Sequence, residues 1–209
     1  MFYDILDDNR KANLPLLRIF KGRFYLAGGT GLALQLGHRD SVDFDFFTGD
    51  HFDTAKLFVE LLDIFTGRKI VRTLEEKDSL NVTVDGEIKL SFLRYPYVLI
   101  RDCLEEENFR IASVEDIACM KLSAIVSRAV EKDFVDLYFI IQKIPLKSLL
   151  TMLGQKMPSL DINLVLKSLV YFDDVSEEKI KFKHGSEVSL KELKNFLTEE
   201  VKRMHNLGR

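Results

Sequence analysis

The 209-residue sequence contains no apolar run approaching the ~18 residues that a membrane-crossing helix needs. Its first stretch, MFYDILDDNRK, turns acidic early and offers no apolar signal segment. Cysteine is scarce: Cys103 and Cys119 stand at no metal or redox spacing, so no disulfide framework is expected and a reducing, cytoplasmic setting is. The four histidines, His38, His51, His184 and His205, are scattered, which argues against a zinc site. Four prolines and eleven glycines are too few for a low-complexity or collagen-like chain. Charge of one sign is also missing in bulk. The formal net charge is -3, so any surface for nucleic acid has to be local.

What is present is core material, 46% of the residues being hydrophobic. The pattern predicts an α+β fold. A core of residues 1–112 would hold a mixed β-sheet of four to five strands with flanking helices. A helical C-terminal region, residues 113–209, would pack on it. A short helix is expected over 10–20, a buried strand over 24–27, and a helix from Thr30 that stops at Gly37. A second strand is expected from Val42 to Phe47. Asp53 then caps a helix carrying Leu57, Phe58, Leu61, Leu62 and Phe65. Three strand-like runs follow, KIVRTLE, LNVTV and EIKLSFL, the last two joined by Asp85-Gly86, which suits a type I′ turn. Ser113-x-x-Asp116 and Ser189-x-x-Glu192 read as capping boxes. A helix is expected from the first to about Val130, another from Asp133 to Gln142, with Pro145, Gly154 and Pro158 punctuating those beyond.

Chemistry concentrates in YLAGGTGLALQLGHRDSVDFDFF, residues 25–47. Strand side chains alternate, so Asp43 and Asp45 share one face while Val42, Phe44 and Phe46 face the core. Their Cα atoms lie roughly 6.5–7 Å apart. Two such carboxylates repel unless a cation sits between them, and hard oxygen ligands suit Mg2+ or Mn2+. Gly28 and Gly29 lack Cβ atoms, so backbone there can approach a phosphate, and the following helix presents free N–H groups. Thr30 and Ser41 add hydroxyls. Arg39 adds a permanent charge able to grip phosphate in bidentate fashion.

A second constellation lies near the helical boundary. Lys121, Arg128 and Lys132 recur at spacings of seven and four, which would make one basic stripe on a continuous helix. Lys121 sits among apolar neighbours, where a lysine either snorkels or meets an anion. Asp133 and Asp136 share a helical face, and Asp136 is bordered by Leu137, Phe139, Ile140 and Ile141. A salt bridge to Arg128 or Lys132 and a part in an active site are both open readings for it.

AGGTGLALQLGHRDSVDFDFF resembles motif I of the nucleotidyltransferase superfamily, and more narrowly the AbiEii/AbiGii toxin branch. EDIACMKLSAIVSRAVEKDFVDLYFI, residues 115–140, is similar to that family's helical motif, and IKLSFLRYPY, residues 88–97, is a weaker third match. The resemblance implies a metal-dependent transfer of a nucleotide from a nucleoside triphosphate to an acceptor, RNA or tRNA. It also implies the toxin of a toxin–antitoxin or phage-defence pair, with an antitoxin protein as partner. Asp43, Asp45, Lys121 and Asp136 would then be catalytic. Asp43 and Asp45 would hold the metal, and Gly28, Gly29, Thr30, Arg39, Ser41, Lys121 and Arg128 would bind the nucleotide. Lys179–Lys183 is a further candidate for RNA.

One position departs from the family pattern. A third carboxylate is expected on the strand IKLSFL, and Ser91 stands there. A hydroxyl is a weak neutral ligand and a poor base near neutral pH. Three explanations are open: Asp136 takes over, the substrate needs little deprotonation, or the protein binds nucleotide without efficient turnover. A non-catalytic nucleotide-binding module and a small-molecule nucleotidyltransferase are the alternative functions.

Overall fold

The computed structural model describes residues 1–176 and 178–206; position 177, positions 207–209 of the expected helical region, and the side chains of His205 and Asn206 lie outside the described residues. The chain opens with α1 (Asp8–Leu17), β1 (Tyr25–Leu26), α2 (Gly28–Leu36), β2 (Asp43–Thr48) and α3 (Thr54–Ile64). Strands β3 (Ile70–Glu76), β4 (Ser79–Val84), β5 (Ile88–Arg94), β6 (Leu104–Glu105) and β7 (Arg110–Ile111) follow. Helices α4 (Val114–Ser127), α5 (Glu131–Ile141), α6 (Leu146–Lys156), α7 (Ile162–Val170) and α8 (Leu190–Asn206) complete it.

The strands form one mixed sheet in the order β3-β4-β5-β2-β1-β7-β6. Central β2 runs parallel to β5 and antiparallel to β1, and β1 runs parallel to β7. One face carries a phenylalanine-rich core that includes Phe20, Phe44, Phe46 and Phe92 beneath α1 and α3. The other face, with Tyr25 and Ala27, packs against helices α4 to α8. The division expected at residue 112 falls between β7 and α4. Among the described residues no helix is long and apolar enough to cross a membrane.

Local chemistry explains the elements. In β2, Phe44 and Phe46 are 0% and 1% exposed. Each such side chain contributes about 1.5–3 kcal/mol by burial. A one-residue slip would expose both rings and bury both aspartates, so the register is firmly set. Gly37, at φ +69°, ends α2 in the left-handed conformation. Asp85 and Gly86, at φ +52° and +73°, make the expected β4–β5 turn. Asp53 caps α3 through the Lys56 N–H, and Ser113 caps α4 through the Asp116 N–H.

The structure also corrects several expectations. The sheet has seven strands among the described residues, not four or five. β6 and β7 have two residues each, too few to show an alternating pattern. Val42 is 46% exposed, because β2 begins only at Asp43. Gly154 lies inside α6 rather than ending a helix. Helix α4 stops at Ser127 and Arg128 is extended, so Lys121, Arg128 and Lys132 do not form a stripe on one helix.

Candidate active site

The site is built where β1 turns into α2 beside β2. The Ala27 N–H donates to the Asp45 carbonyl at 3.0 Å, which brings the glycine turn against the acidic strand. Gly28 has φ +61°, and a Cβ there would lie 2.6 Å from Asp45 Oδ2. A Cβ on Gly29 would lie 2.6 Å from Arg39 Nη2 and 3.3 Å from Ser41 Oγ. The glycine pair is therefore needed for side-chain approach as well as backbone shape. Helix α2 has no side-chain cap at Ala27, so its first-turn N–H groups stay available at the Gly28–Gly29 end. Thr30 is fully buried; its hydroxyl lies 2.8 Å from Ser41 Oγ and donates to the Asp43 carbonyl, tying α2 to β2.

Asp43 and Asp45 both leave the sheet on the face away from Phe44 and Phe46, as alternation requires. In the parallel β2–β5 register Asp43 stands beside Lys89 and Asp45 beside Ser91. Asp43 is about half exposed and its nearest cation, Lys89 Nζ, is 4.0 Å away. Burial raises the Asp45 carboxyl above the ordinary carboxylate range, and the charge of Asp43 adds to this, against a hydrogen bond from Ser91 and the more distant Lys121 and Lys89.

Behind this edge lies a buried ionic cluster. Asp136, 0% exposed, accepts Arg39 Nε at 2.7 Å on Oδ1 and Arg39 Nη2 at 2.8 Å on Oδ2. His38 Nε2 lies 2.8 Å from Oδ1, and Lys121 Nζ 2.5 Å from Oδ2. Lys121 also donates to Asp133 at 2.7 Å, and Arg128 Nε to the other Asp133 oxygen at 3.1 Å. Burial alone would raise the Asp136 carboxyl, but Arg39 and Lys121 outweigh it and hold it well below the usual range. Burial alone would lower Lys121, but Asp136 and Asp133 hold it above the ordinary lysine value. Asp136 thus lies inside the cleft wall with its oxygens engaged by His38, Arg39 and Lys121. Its expected bridge to Arg128 or Lys132 is not formed: His38, Arg39 and Lys121 take those places. Arg39 and Lys121 line the cleft but hold this cluster together rather than standing free for a phosphate.

The cleft has a volume of about 450 Å3 and is walled by Gly29, Ser41, Asp43, Asp45 and Lys89 on the sheet side. Arg128, Lys132, Lys179 and Lys181 close the other side. The distant 181–183 segment is brought there by backbone pairing: Asp40 N–H donates to the Lys181 carbonyl at 2.8 Å, and Lys183 N–H to the His38 carbonyl at 3.0 Å. Lys89 and the lysines of this segment complete the site; alternation with Ser91 and a local run of lysines are the only signals for them in the sequence. A smaller annex of about 330 Å3 opens beside Gly28, Asp45 and Lys121, with Phe47, Leu93, Tyr95 and Met120 as apolar walls.

Two carboxylates and a hydroxyl make a hard oxygen set, and the Asp45 carboxylate has no cation closer than the residues named above. The residues fit a divalent ion of the Mg2+ or Mn2+ type. Among the described residues no three or more His, Cys, Asp or Glu side chains are arranged so that they alone could hold a metal ion. Such an ion would therefore need further oxygens from a ligand.

The family model for the nucleotidyl transferase AbiEii toxin, type IV toxin–antitoxin system, matches residues 16–204. An uncharacterized protein of Aquifex aeolicus (strain VF5) is 40% identical over 161 residues, covering 74% of this chain and 76% of the relative. Among solved structures, JHP933 from Helicobacter pylori has a TM-score of 0.56 at 18% identity, covering 97% of this chain and 92% of that one. MenT4, the nucleotidyltransferase toxin Rv2826c from Mycobacterium tuberculosis H37Rv, has a TM-score of 0.59 at 16% identity, covering 91% and 80%.

Proposed function

The chain belongs to the AbiEii nucleotidyltransferase toxin family, and from that premise we propose that its cleft transfers a nucleotide from a nucleoside triphosphate to an RNA acceptor, tRNA included. The observation that carries this reading is the placement of Asp45: a carboxylate pressed against Gly28 at the open end of α2, on the same strand face as Asp43.

The triphosphate would lie over Gly28 and Gly29, where the first-turn N–H groups and the positive end of the α2 dipole favour anions. Thr30 acts through Ser41, whose hydroxyl it orients. Seven Lys and Arg against five Asp and Glu line the cleft, so it is locally basic in a chain of net charge -3. Lys89, Arg128, Lys132, Lys179 and Lys181 are the cations suited to phosphates of either substrate. The apolar annex suits a nucleobase, with Phe47 and Tyr95 as walls.

Asp43 and Asp45 would hold Mg2+, whose part when bound is to neutralise phosphate charge. An acceptor hydroxyl oxygen attacks the α-phosphorus in line and its proton passes to solvent; the new O–P bond forms as the bond from the α-phosphorus to the α,β-bridging oxygen breaks, and that oxygen leaves with pyrophosphate. Ser91 provides no base and Asp136 is sealed in its cluster. The chain therefore contributes positioning and electrostatics rather than strong proton abstraction. Membership of a type IV toxin–antitoxin family supports an antitoxin protein as partner and a place in phage defence.

The test is incubation with each labelled nucleoside triphosphate, Mg2+ or Mn2+, and total RNA. Wild type should label RNA. Asp45→Ala, with its circular dichroism unchanged, should not. Equal labelling by the two proteins would remove the assignment. Ser91 favours a second reading, a nucleotide-binding module without turnover; binding with no transfer to RNA or to small molecules supports that one. Transfer to small molecules alone supports an enzyme of the small-molecule type.

A further inference from the structure

A second cavity, of about 600 Å3, opens at the far end of the central strands. It lies where β1 is entered, at Arg23–Tyr25, and where β2 is left, at Thr48–Phe52. Asp45 to Thr48 is three residues of strand, so this cavity begins roughly 10 Å from the acidic pair. Phe24, Phe52 and Tyr97 supply aromatic surface. Between it and the apolar annex stands a ladder of rings: Phe47 and Tyr95 have centroids 5.9 Å apart, Tyr95 and Tyr97 4.8 Å.

Two polar groups on its wall have no partner among the described residues. Tyr25 is only 6% exposed, and its hydroxyl is buried without a hydrogen bond. Arg110 Nε is likewise buried and unbonded, and Arg110 makes no ion pair among the described residues. In the parallel β1–β7 register Leu26 pairs with Ile111, so Tyr25 and Arg110, one position earlier on each strand, stand side by side on the same face of the sheet. The other charged groups are already matched or outward: Arg23 pairs with Glu60, His51 with Asp78, and Asp50 is exposed. Orphaned buried donors are rare in folded proteins and mark a site completed by something else. Both orphans here can donate to one acceptor oxygen.

An anionic oxygen for Arg110 and Tyr25, with a flat ring for Tyr97 and the phenylalanines, is the chemistry of a nucleoside phosphate. We propose that the cavity bounded by Tyr25, Tyr97 and Arg110 is a second nucleotide-binding site, distinct from the cleft at Asp43 and Asp45. Its occupant has two sources, a free mononucleotide or one unit of a single-stranded RNA whose end enters the cleft. Guanidinium–phosphate pairing and ring stacking are tolerant of base identity, so base preference is weak.

The test titrates the full chain with AMP and CMP in one arm and a short single-stranded oligoribonucleotide in the other, by calorimetry. Arg110→Gln and Tyr97→Ser should each weaken binding by about tenfold. Tyr97 is 36% exposed, so its replacement leaves the core untouched. Loss in the mononucleotide arm identifies a diffusible ligand; loss only with the oligonucleotide identifies the acceptor strand. Binding that is absent in both arms, or unchanged in both variants, overturns the proposal. Nucleoside triphosphate binding that responds to Asp45→Ala but not to Arg110→Gln tests the cleft separately, so failure of one site is read independently of the other.

Discussion

Lys121 Nζ and Asp136 Oδ2 stand 2.5 Å apart, with both side chains shielded from water. The pair joins α4 to α5, and through Arg39 and His38 it also fixes the loop between α2 and β2. A buried charge pair is weak evidence for stability in itself, since desolvation opposes the attraction. Its geometric consequence is clear: Arg39 is held where only a glycine at position 29 can meet it.

Removing one partner should cost far more than the pair contributes. Asp136→Asn leaves Arg39 and Lys121 buried with an excess positive charge, and should lose about 3–5 kcal/mol of folding stability. Lys121→Met should lose a comparable amount. The double variant should lose less than the sum, because Lys121 is then no longer stranded and only Arg39 is left without its carboxylate. Urea titration of the three proteins checks this. Additive losses would mean that the two groups are not coupled.

The same cluster sets a pH window. Asp136 has a folded pKa held below its unfolded one, so its contribution is complete above the unfolded value of about 3.9 and is lost as pH falls through the depressed folded value. Lys121 has a folded pKa above its unfolded value of about 10.4; its contribution is complete below that value and is lost as pH rises through the raised one. Asp45 has the opposite sign to Asp136, its folded pKa lying above its unfolded one. Protonation of Asp45 competes with a divalent ion, so Mn2+ affinity should fall on acidification at a higher pH than an ordinary aspartate site would show. Asp45→Asn should flatten that dependence. A profile unchanged by the substitution would place the titrating ligand elsewhere.

Gly28 is a position where backbone and side-chain demands coincide. Its φ of +61° disfavours any L side chain, and an added Cβ falls 2.6 Å from Asp45 Oδ2. Gly28→Ala should cost about 1–3 kcal/mol from the strained backbone. It should also turn Asp45 away and weaken Mn2+ and nucleotide binding at least tenfold. Gly154, inside α6 with open space around it, is the control: Gly154→Ala should leave binding intact. Equal binding by both variants would separate Gly28 from the acidic pair.

What was legible in the sequence was local. Gly28, Gly29, Asp43 and Asp45 lie within one short stretch, and period-two alternation alone puts the carboxylates on one face. Ser91 was picked out only through the family resemblance, as the position where a third carboxylate is expected, and the β2–β5 register sets it beside Asp45. The partners of Asp136 were not legible. His38 and Arg39 lie 98 and 97 positions away, and no pattern of apolar residues encodes a pairing at that range. The end of α4 was read about three residues late, near Val130, because Ala129 and Val130 keep a helical look, while in the fold they pair with Ser176. Strands β6 and β7 escaped for want of length.

Ser91 supplies the sharpest experiment on the chemistry. It is 5% exposed, and it faces Asp45 across the β2–β5 register. Ser91→Asp would place a third carboxylate beside two that already repel, so the protein without metal should lose about 1–3 kcal/mol. The same three carboxylates are a stronger oxygen set for a divalent ion, so Mn2+ should raise the melting temperature of Ser91→Asp more than that of wild type. Nucleotide transfer should be preserved or increased, since a carboxylate there also serves as a base for the acceptor hydroxyl. If Mn2+ stabilises both proteins equally, Ser91 does not border the metal position, and the oxygen set assigned to Asp43, Asp45 and Ser91 is wrong in its third member.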